Sequence, residues 1–304
     1  MSAPSFTPQL RPLSVGEMLD AGFRLFNARF WTLILCVLVP VVPLTIVATA
    51  LQASVDPNAF DLNSTETVDS GTALAGTLVA AVIQFAAAAL GIAACFRAIS
   101  AAYLGERAGV AESLRYGLGR LLPLIVAYLL FIVLVGIGFI ALIVPAFWIA
   151  VKLAMVFPAV VFERKGPFGA IGRSWTLTRG HWWRTFGTLL VVFLITFVMQ
   201  LVFGGVVGGL LGASDTVSEL TVAIVLTLVN LITLALTYPL WAAVTSVVYY
   251  DLRVRNEGFD LHLLAQAMGA DVERFQAAPE RPVAPPPDAS GGGFVPPEGS
   301  ATSS

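Results

Sequence analysis

Charged side chains are scarce in this chain and account for only 12% of its 304 residues. A soluble domain usually carries about 25% charged residues. Hydrophobic residues make up 57% of the chain, and its mean hydropathy is +0.85. This composition excludes an ordinary water-soluble protein and predicts an integral membrane protein. The formal net charge is -2, so there is no basic excess to suggest a nucleic-acid partner.

Cysteine and histidine, which often bind metals or act in catalysis, occur only twice each. Cys36 and Cys95 lie within or at the edge of apolar runs, where we expect neither a disulfide nor a metal site. His181 and His262 are far apart in the chain, and no metalloprotease motif, phosphate-binding loop or nucleophile elbow is present. We therefore predict no catalytic residue, no metal, no cofactor and no enzymatic activity.

Long apolar runs are what the chain does contain. A membrane-spanning helix needs about 20 apolar residues. The third and fourth runs could form one long helix, but together they are about twice as long as a bilayer requires. A turn near Val144-Pro145 is the better interpretation, because proline begins or ends helices. The predicted spans are approximately residues 31–51, 73–95, 121–141, 144–162, 186–208 and 221–249.

Basic residues are missing from every second segment between these spans. All lysines and arginines except Lys152 lie before the first span, between the second and third, between the fourth and fifth, or after the sixth. The remaining loops carry only acidic charges, such as Asp61 and Asp215. Because basic residues are retained on the cytoplasmic side of membranes, we expect a multi-pass plasma-membrane protein with both termini in the cytoplasm.

Similar segments recur along the chain, at residues 102–113, 160–171 and 248–259, each directly after a predicted span. Each has an acid, then basic residues, then glycine, followed by an apparent amphipathic helix. A related helix precedes the first span, where Ser14 and Glu17 form a capping box. The sequence therefore predicts an all-α fold, with six transmembrane helices arranged as three hairpins and cytoplasmic amphipathic helices at the membrane interface.

These patterns divide the chain into three regions. Residues 1–13 form an N-terminal cytoplasmic segment, and residues 14–268 form the six-helix membrane domain with its interfacial helices. Residues 269–304 form a cytoplasmic tail. From about residue 276 this tail is rich in Pro, Ala, Gly and Ser, and we expect it to be disordered because it cannot bury a core.

Lys152 is the one charge clearly inside a predicted span. A lysine near the bilayer centre costs about 2.5–3.5 kcal/mol on insertion scales, so it is expected to face the bundle interior or a wet cavity. No Asp or Glu lies within a span to pair with it, which makes Lys152 a candidate receptor for an anionic group. Alternatively, its long side chain extends to the headgroups at the outer end of the fourth span.

The stretch from Ser174 to Gly187 is rich in tryptophan and arginine and directly precedes the fifth span. Tryptophans prefer the membrane interface and arginines attract anionic headgroups. The stretch contains no nucleophile–base pair and no metal partner. We interpret its tryptophans as interfacial anchors and add the nearby arginines to Lys152 as candidate lipid contacts. The anchors are Trp175, Trp182 and Trp183, and the lipid contacts are Lys152, Arg173, Arg179 and Arg184.

Three separated segments, residues 10–20, 170–184 and 249–260, together resemble the membrane domain of glycerophosphoryl diester phosphodiesterases. The resemblance covers about residues 8–268, and the chain is similar to stand-alone actinobacterial proteins that carry this domain. In fused relatives, hydrolysis belongs to a separate TIM-barrel domain, which this chain does not contain. The resemblance therefore implies a bacterial plasma-membrane protein but not the phosphodiesterase activity. The resemblance also draws attention to Lys152, because a basic residue in the fourth span resembles a feature of the family.

The leading functional hypothesis is a non-enzymatic membrane module that binds or moves lipids or amphiphilic anions. Its expected partners are membrane lipids, anionic ones in particular. The alternative is a scaffold or assembly factor that contacts other membrane proteins through its interfacial helices and tail. An intramembrane enzyme is disfavoured, because proton-transfer groups are missing from the spans.

Overall fold

The computed structural model describes residues 13–55, 70–103, 108–212 and 219–257, and within these ranges the chain is helical with no strand. Residues 1–12, most of the acidic loops and the predicted tail lie outside the described residues. The helices, in chain order, are α1 (Val15–Ala28), α2 (Phe30–Val55), α3 (Ser70–Tyr103), α4 (Val110–Leu118), α5 (Leu121–Ala141), α6 (Ile143–Leu153), α7 (Val156–Phe162), α8 (Pro167–Leu177), α9 (Trp182–Gln200), a π-helical segment (Leu201–Val206), α10 (Val207–Gly212) and α11 (Glu219–Glu257).

Six helical segments among the described residues are long and apolar enough to cross a membrane, which confirms the predicted number of spans. The protein is a multi-pass membrane protein. The helices of the second and sixth spans extend beyond the predicted apolar runs, because backbone hydrogen bonding continues into polar sequence. The six segments are Phe30–Val55, Gly71–Ala102, Leu121–Ala141, Ile143–Phe162, Trp182–Gly209 and Ile224–Glu257.

The third and fourth spans are separate helices, but the break lies at Leu142 and not at Pro145. Leu142 is fully extended, and Pro145 belongs to the first turn of α6. This position suits proline, because the first turn of a helix does not need its missing N–H. The two helices then pack closely: a Cβ added to Gly138 would lie 2.8 Å from the Ala146 Cα atom.

The fourth span is itself interrupted between α6 and α7. The helix ends at Leu153 and restarts at Val156. Pro158 lies in the first turn of α7, and its nitrogen cannot donate to the carbonyl of Ala154. The interruption therefore falls one turn before the proline, and it leaves backbone groups that need partners from elsewhere in the fold.

Each pair of long helical spans follows a shorter helix: α1, α4 or α8. In α1 the predicted capping box is present, with Ser14 N donating to Glu17 Oε2 at 2.7 Å and Glu17 N donating to Ser14 Oγ at 3.3 Å. One face of α1 is buried, including Met18 and Leu25. The position of these helices relative to the membrane surface stays a prediction.

The core is centred on α11, whose C-terminal half packs against α1, α2, α3 and α9. Val244, Val247 and Tyr249 are fully buried in it. The approach of α1 is close enough that a Cβ added to Gly22 would lie 2.6 Å from Val244 Cγ2. The end of α11 therefore lies where the shorter helices and the candidate site residues can reach it.

Candidate functional site

The predicted site residues separate into two neighbouring groups. We call the first the Lys152 site, which consists of Trp148, Lys152, Trp175, Arg179 and Trp182. We call the second the α11 cluster, which consists of Glu163, Arg173, Tyr249, Arg253 and Glu257. The two groups share helix α8, which contributes Trp175 to one and Arg173 to the other.

The Lys152 ammonium lies against two tryptophan rings. Lys152 is only 7% exposed, and its Nζ atom is 5.7 Å from the ring centroid of Trp148 and 5.6 Å from that of Trp175. The two rings meet edge to face with centroids 5.1 Å apart. Both contacts are within the range of cation–π attraction, which partly offsets the cost of removing the charge from water.

This geometry disagrees with the alternative that Lys152 extends to headgroups at the outer end of the fourth span. The side chain is almost completely buried, and its Nζ atom lies about equally close to Trp148 of the same span and to Trp175 of α8, which follows that span. Within the part of the chain that the structure describes, the ammonium has neither a hydrogen-bond partner nor a carboxylate partner. Lys152 is therefore a buried cation that aromatic rings stabilise but no anion neutralises.

Ser174 holds α8 against the interruption in the fourth span. Its Oγ donates to Lys152 O at 2.6 Å and accepts from Met155 N at 3.1 Å. Ser174 is completely buried. One hydroxyl thus satisfies backbone groups on both sides of the break and fixes the height at which Trp175 faces Lys152.

Arg179 and Trp182 complete the Lys152 site from the segment after α8. Arg179 is exposed, and its positive charge is close enough to act on Lys152. Trp182 Nε1 donates to Trp148 O at 3.4 Å, and its ring stacks on Phe186 with centroids 5.1 Å apart. Among the described residues neither cation has a carboxylate partner, and the Lys152 ammonium lies against two tryptophan rings.

Arg173 belongs to the α11 cluster and is fully engaged by carboxylates. Its Nε lies 2.7 and 2.9 Å from the two oxygens of Glu163, and its Nη2 lies 2.9 Å from Glu257 Oε2. Tyr249 donates its hydroxyl hydrogen to Glu163, and Arg253 Nε donates to Glu257 at 3.1 Å. These contacts favour a structural role for Arg173, as a junction between α8, the end of α7 and α11.

The charges of this cluster shift one another's titration. Burial alone would raise the pKa of Glu163, but hydrogen bonds from Arg173 and Tyr249 and the charges of Arg173 and Arg253 outweigh it and hold that pKa below its usual range. The hydrogen bond to Glu257, together with Glu163, raises the pKa of Arg173 despite its desolvation. The ionised forms of Glu163 and Arg173 are therefore stabilised at neutral pH.

Arg184 lies in a different contact, beside Asp251 of α11. Its Nε is 3.5 Å from Asp251 Oδ2, and its Nε and Nη2 atoms are buried without a hydrogen bond. The Asp251 carboxylate is almost completely buried and accepts from Leu13 N at 2.8 Å and from Arg255 Nε at 2.9 Å. This carboxylate therefore attaches Leu13, two residues before α1, to the end of α11.

The tryptophans predicted as interfacial anchors differ in exposure. Trp183 is 78% exposed and Trp175 is 42% exposed. Trp182 is half-buried. Trp183 is thus accessible on the surface of the chain and its role as an interfacial anchor stays a prediction, whereas Trp175 and Trp182 also form walls of the Lys152 site.

Sequence reasoning missed Trp148, Ser174, Glu163 and Glu257. A signal for Trp148 was available, because residues four apart share one face of a helix and Trp148 is therefore a neighbour of Lys152. Arg173, the shared partner of Glu163 and Glu257, gave no such local signal for Glu257, because α8 and α11 meet only in the folded bundle.

The motif stretches that carried the family resemblance converge in these contacts. Residues 170–184 supply Arg173, Ser174 and Arg184, and residues 249–257 supply Tyr249 and their acidic and basic neighbours. The family model for the membrane domain of glycerophosphoryl diester phosphodiesterase matches residues 123–279, just over half of the chain. No curated protein and no solved structure matches the chain. The chain therefore belongs to the family of the membrane domain of glycerophosphoryl diester phosphodiesterase.

Proposed function

We propose that this protein is a non-enzymatic module of the bacterial plasma membrane that binds anionic lipid headgroups at the Lys152 site. The observation that carries the proposal is the ammonium of Lys152, which lies between Trp148 and Trp175, has no carboxylate partner among the described residues and is near enough to Arg179 to be repelled by its charge. The distribution of lysine and arginine supports an orientation with both termini in the cytoplasm. The anionic leaflet then faces the same side as the Lys152 site.

An anion at this site would resolve its electrostatic cost. A buried, unpaired cation is retained only when something offsets its desolvation. Cation–π contacts offset about 0.5–2 kcal/mol each, which falls short of a full ion pair, and Arg179 adds repulsion. A phosphate oxygen between Lys152 and Arg179 would remove that repulsion and accept charge-assisted hydrogen bonds from both side chains. The tryptophans would lie along the glycerol and upper acyl region of the same lipid.

Lipid competition tests this proposal directly. The purified protein is offered equal amounts of phosphatidylglycerol and phosphatidylcholine with identical chains, and bound lipid is counted by native mass spectrometry. The wild-type protein should prefer phosphatidylglycerol. Lys152→Gln should lower that preference about tenfold or more, because a charge-assisted hydrogen bond contributes about 1.5–3 kcal/mol.

Arg115→Gln is the matched control. It removes one positive charge from an exposed position on α4, which does not belong to the Lys152 site. It should leave the headgroup preference within about twofold of wild type, since an exposed single charge acts weakly through screening. Equal losses in Lys152→Gln and Arg115→Gln would reduce the effect to net charge and end the proposal.

The scaffold alternative remains a separate prediction, because residues 269–304 lie outside the described part of the chain. Under that alternative, deletion of residues 276–304 should abolish the recovery of crosslinked membrane partners while leaving lipid preference intact. Under the lipid-binding proposal, Lys152→Gln alters lipid preference and the deletion does not.

A further inference from the structure

A cavity of about 500 Å³ lies among the spanning helices, bordered by α2, α3, α5, the α6–α7 region and α11. This volume is within the range of about 300–1,000 Å³ typical of ligand pockets. Ala154 and Phe157 of the fourth span line it, whereas Lys152 does not. The cavity is thus a second space, separate from the Lys152 site.

The cavity walls are mainly apolar, and the described residues that line them include no charged side chain. Alanines of α3 and the rings of Phe85, Tyr128 and Phe157 form much of the lining, and the Phe85 and Tyr128 ring centroids are 4.4 Å apart. An occupant with an apolar chain and no charge in the buried part fits these walls.

Polar groups also line the cavity, and some of them have no hydrogen-bond partner among the described residues. Thr237 Oγ1 is buried without a hydrogen bond. Its neighbours on α11 behave differently: Thr233 and Thr245 each donate to the backbone carbonyl four residues earlier, at 2.8 and 2.6 Å. Threonines in membrane helices commonly make this local bond, so the unsatisfied hydroxyl of Thr237 is available to a ligand.

The other polar side chains of the lining have spare capacity as well. Gln84 Oε1 accepts from Thr45 Oγ1 at 3.2 Å, which ties α2 to α3 and leaves the amide hydrogens of Gln84 uncommitted in that contact. Tyr128 and Tyr238 line the same space, and their hydroxyls form no hydrogen bond with any described residue. Hydroxyl and amide donors around an apolar cavity suit an uncharged carbonyl or hydroxyl group.

We propose that this cavity binds an uncharged lipid, with an acyl or isoprenoid chain against the aromatic wall and a hydroxyl or ester carbonyl hydrogen-bonded to Thr237 and the neighbouring tyrosines. The inference does not depend on the Lys152 site, whose proposed ligand is an anion and whose residues do not line the cavity. The protein then has two lipid sites of opposite preference: an anionic headgroup site at Lys152 and a neutral lipid site within the spans.

Matched probe pairs test the chemistry of the ligand. Dioctanoylglycerol is compared with dioctanoyl phosphatidic acid, and farnesol with farnesyl phosphate, by native mass spectrometry of the purified full-length protein. Binding is assigned to the cavity only if Ala88→Phe abolishes it, because residue 88 lines the cavity and the added ring fills it. Ala81→Phe is the matched control, since residue 81 lies on the same helix, is exposed and is not part of the lining.

The expected result is that Ala88→Phe weakens binding of at least one neutral probe about tenfold or more, while Ala81→Phe leaves it unchanged. The neutral probe that binds identifies the chain type. Thr237→Val keeps the shape of the side chain and removes its hydroxyl, so it should weaken the same probe roughly three- to tenfold. It also keeps the proposal testable if Ala88→Phe fails to fold.

Two results would overturn the proposal. One is neutral-probe binding that neither Ala88→Phe nor Thr237→Val reduces. The other is cavity-dependent binding of a phosphorylated probe that equals or exceeds that of its neutral counterpart. Lys152→Gln should leave neutral-probe binding unchanged while it lowers the phosphatidylglycerol preference, so failure of either site is recognisable by itself.

Discussion

Replacement of Arg173 by methionine should be among the most destabilising single changes at the end of α11. Arg173 is 16% exposed at its side chain and bridges Glu163 and Glu257, which are 15% and 29% exposed. Methionine keeps the length of the apolar part and removes the guanidinium. Both carboxylates would then remain in a largely buried position with one cation fewer.

The magnitude follows from the contacts. A hydrogen bond to a charged group contributes about 1.5–3 kcal/mol, and removing one partner of a buried ion pair costs about 3–5 kcal/mol. Glu163 keeps Tyr249 and Glu257 keeps Arg253, and the cluster is partly reached by solvent. We therefore expect a loss of about 3 kcal/mol in the free energy of unfolding, at the lower end of that range.

Equilibrium unfolding in mixed micelles of a mild detergent and sodium dodecyl sulfate, followed by tryptophan fluorescence, measures this loss. Arg173→Lys retains the charge but not the planar fork, so its destabilisation should be intermediate. Lys165→Gln is the control, because Lys165 is 43% exposed and lies 3.6 Å from Glu163. As a screened surface pair it should cost no more than about 0.5 kcal/mol. A cost of Arg173→Met within about 0.5 kcal/mol of the control would refute the argument that this arginine joins α8 to α11.

Three further predictions concern titration, the helix break and topology. Because the folded-state pKa of Glu163 is lowered, ionised Glu163 stabilises the fold above its unfolded-state pKa of about 4.3, and this contribution is lost as the pH falls through the folded-state pKa. Glu163→Gln should therefore reduce the loss of unfolding free energy at acid pH, measured by unfolding across a series of pH values. Ser174→Ala should lower the free energy of unfolding by about 1–3 kcal/mol, since it leaves Lys152 O and Met155 N without the buried hydroxyl. Thr176→Ala, an exposed change on the same helix, should cost less than about 0.5 kcal/mol. Equal costs would contradict the role of Ser174. Single cysteines can be introduced in place of Phe60 or Val110, because the native Cys36 and Cys95 are buried. An impermeant maleimide added from outside should label position 60 but not position 110. Labelling only at position 110 would reverse the predicted orientation.

Much of the helical architecture could be predicted because its signals are local. Apolar runs of sufficient length predicted all six spans, and the capping box of Ser14 and Glu17 predicted the start of α1. The turn between the third and fourth spans was placed three residues late, at Pro145, because proline was taken to occupy the break when it occupies the first turn after it. The interruption before Pro158 follows the same rule, because this proline also lies in the first turn after a break. The length of the apolar run alone does not predict that interruption.

The candidate site was predictable only in part. Lys152 stood out because it is an isolated charge in an apolar run, and Trp175 and Arg179 because they lie in a tryptophan- and arginine-rich stretch. Their assembly into one site depends on Ser174, which fastens α8 to the interruption in the fourth span. Arg173 and Arg184 had the same sequence signal as Arg179, yet they lie against Glu163, Glu257 and Asp251.

By itself, the sequence determined the membrane class, the number of spans, the starts of several helices and the two-sided distribution of charge. These properties depend on the transfer of side chains between water and lipid and on hydrogen bonds within a few residues. Tertiary structure alone decided which arginines are neutralised, which tryptophans face Lys152, and that Gln84, Tyr128, Thr237 and Tyr238 surround one cavity. Those outcomes depend on contacts between helices far apart in the chain, where packing and the pairing of charges select one arrangement among many that share the same local pattern.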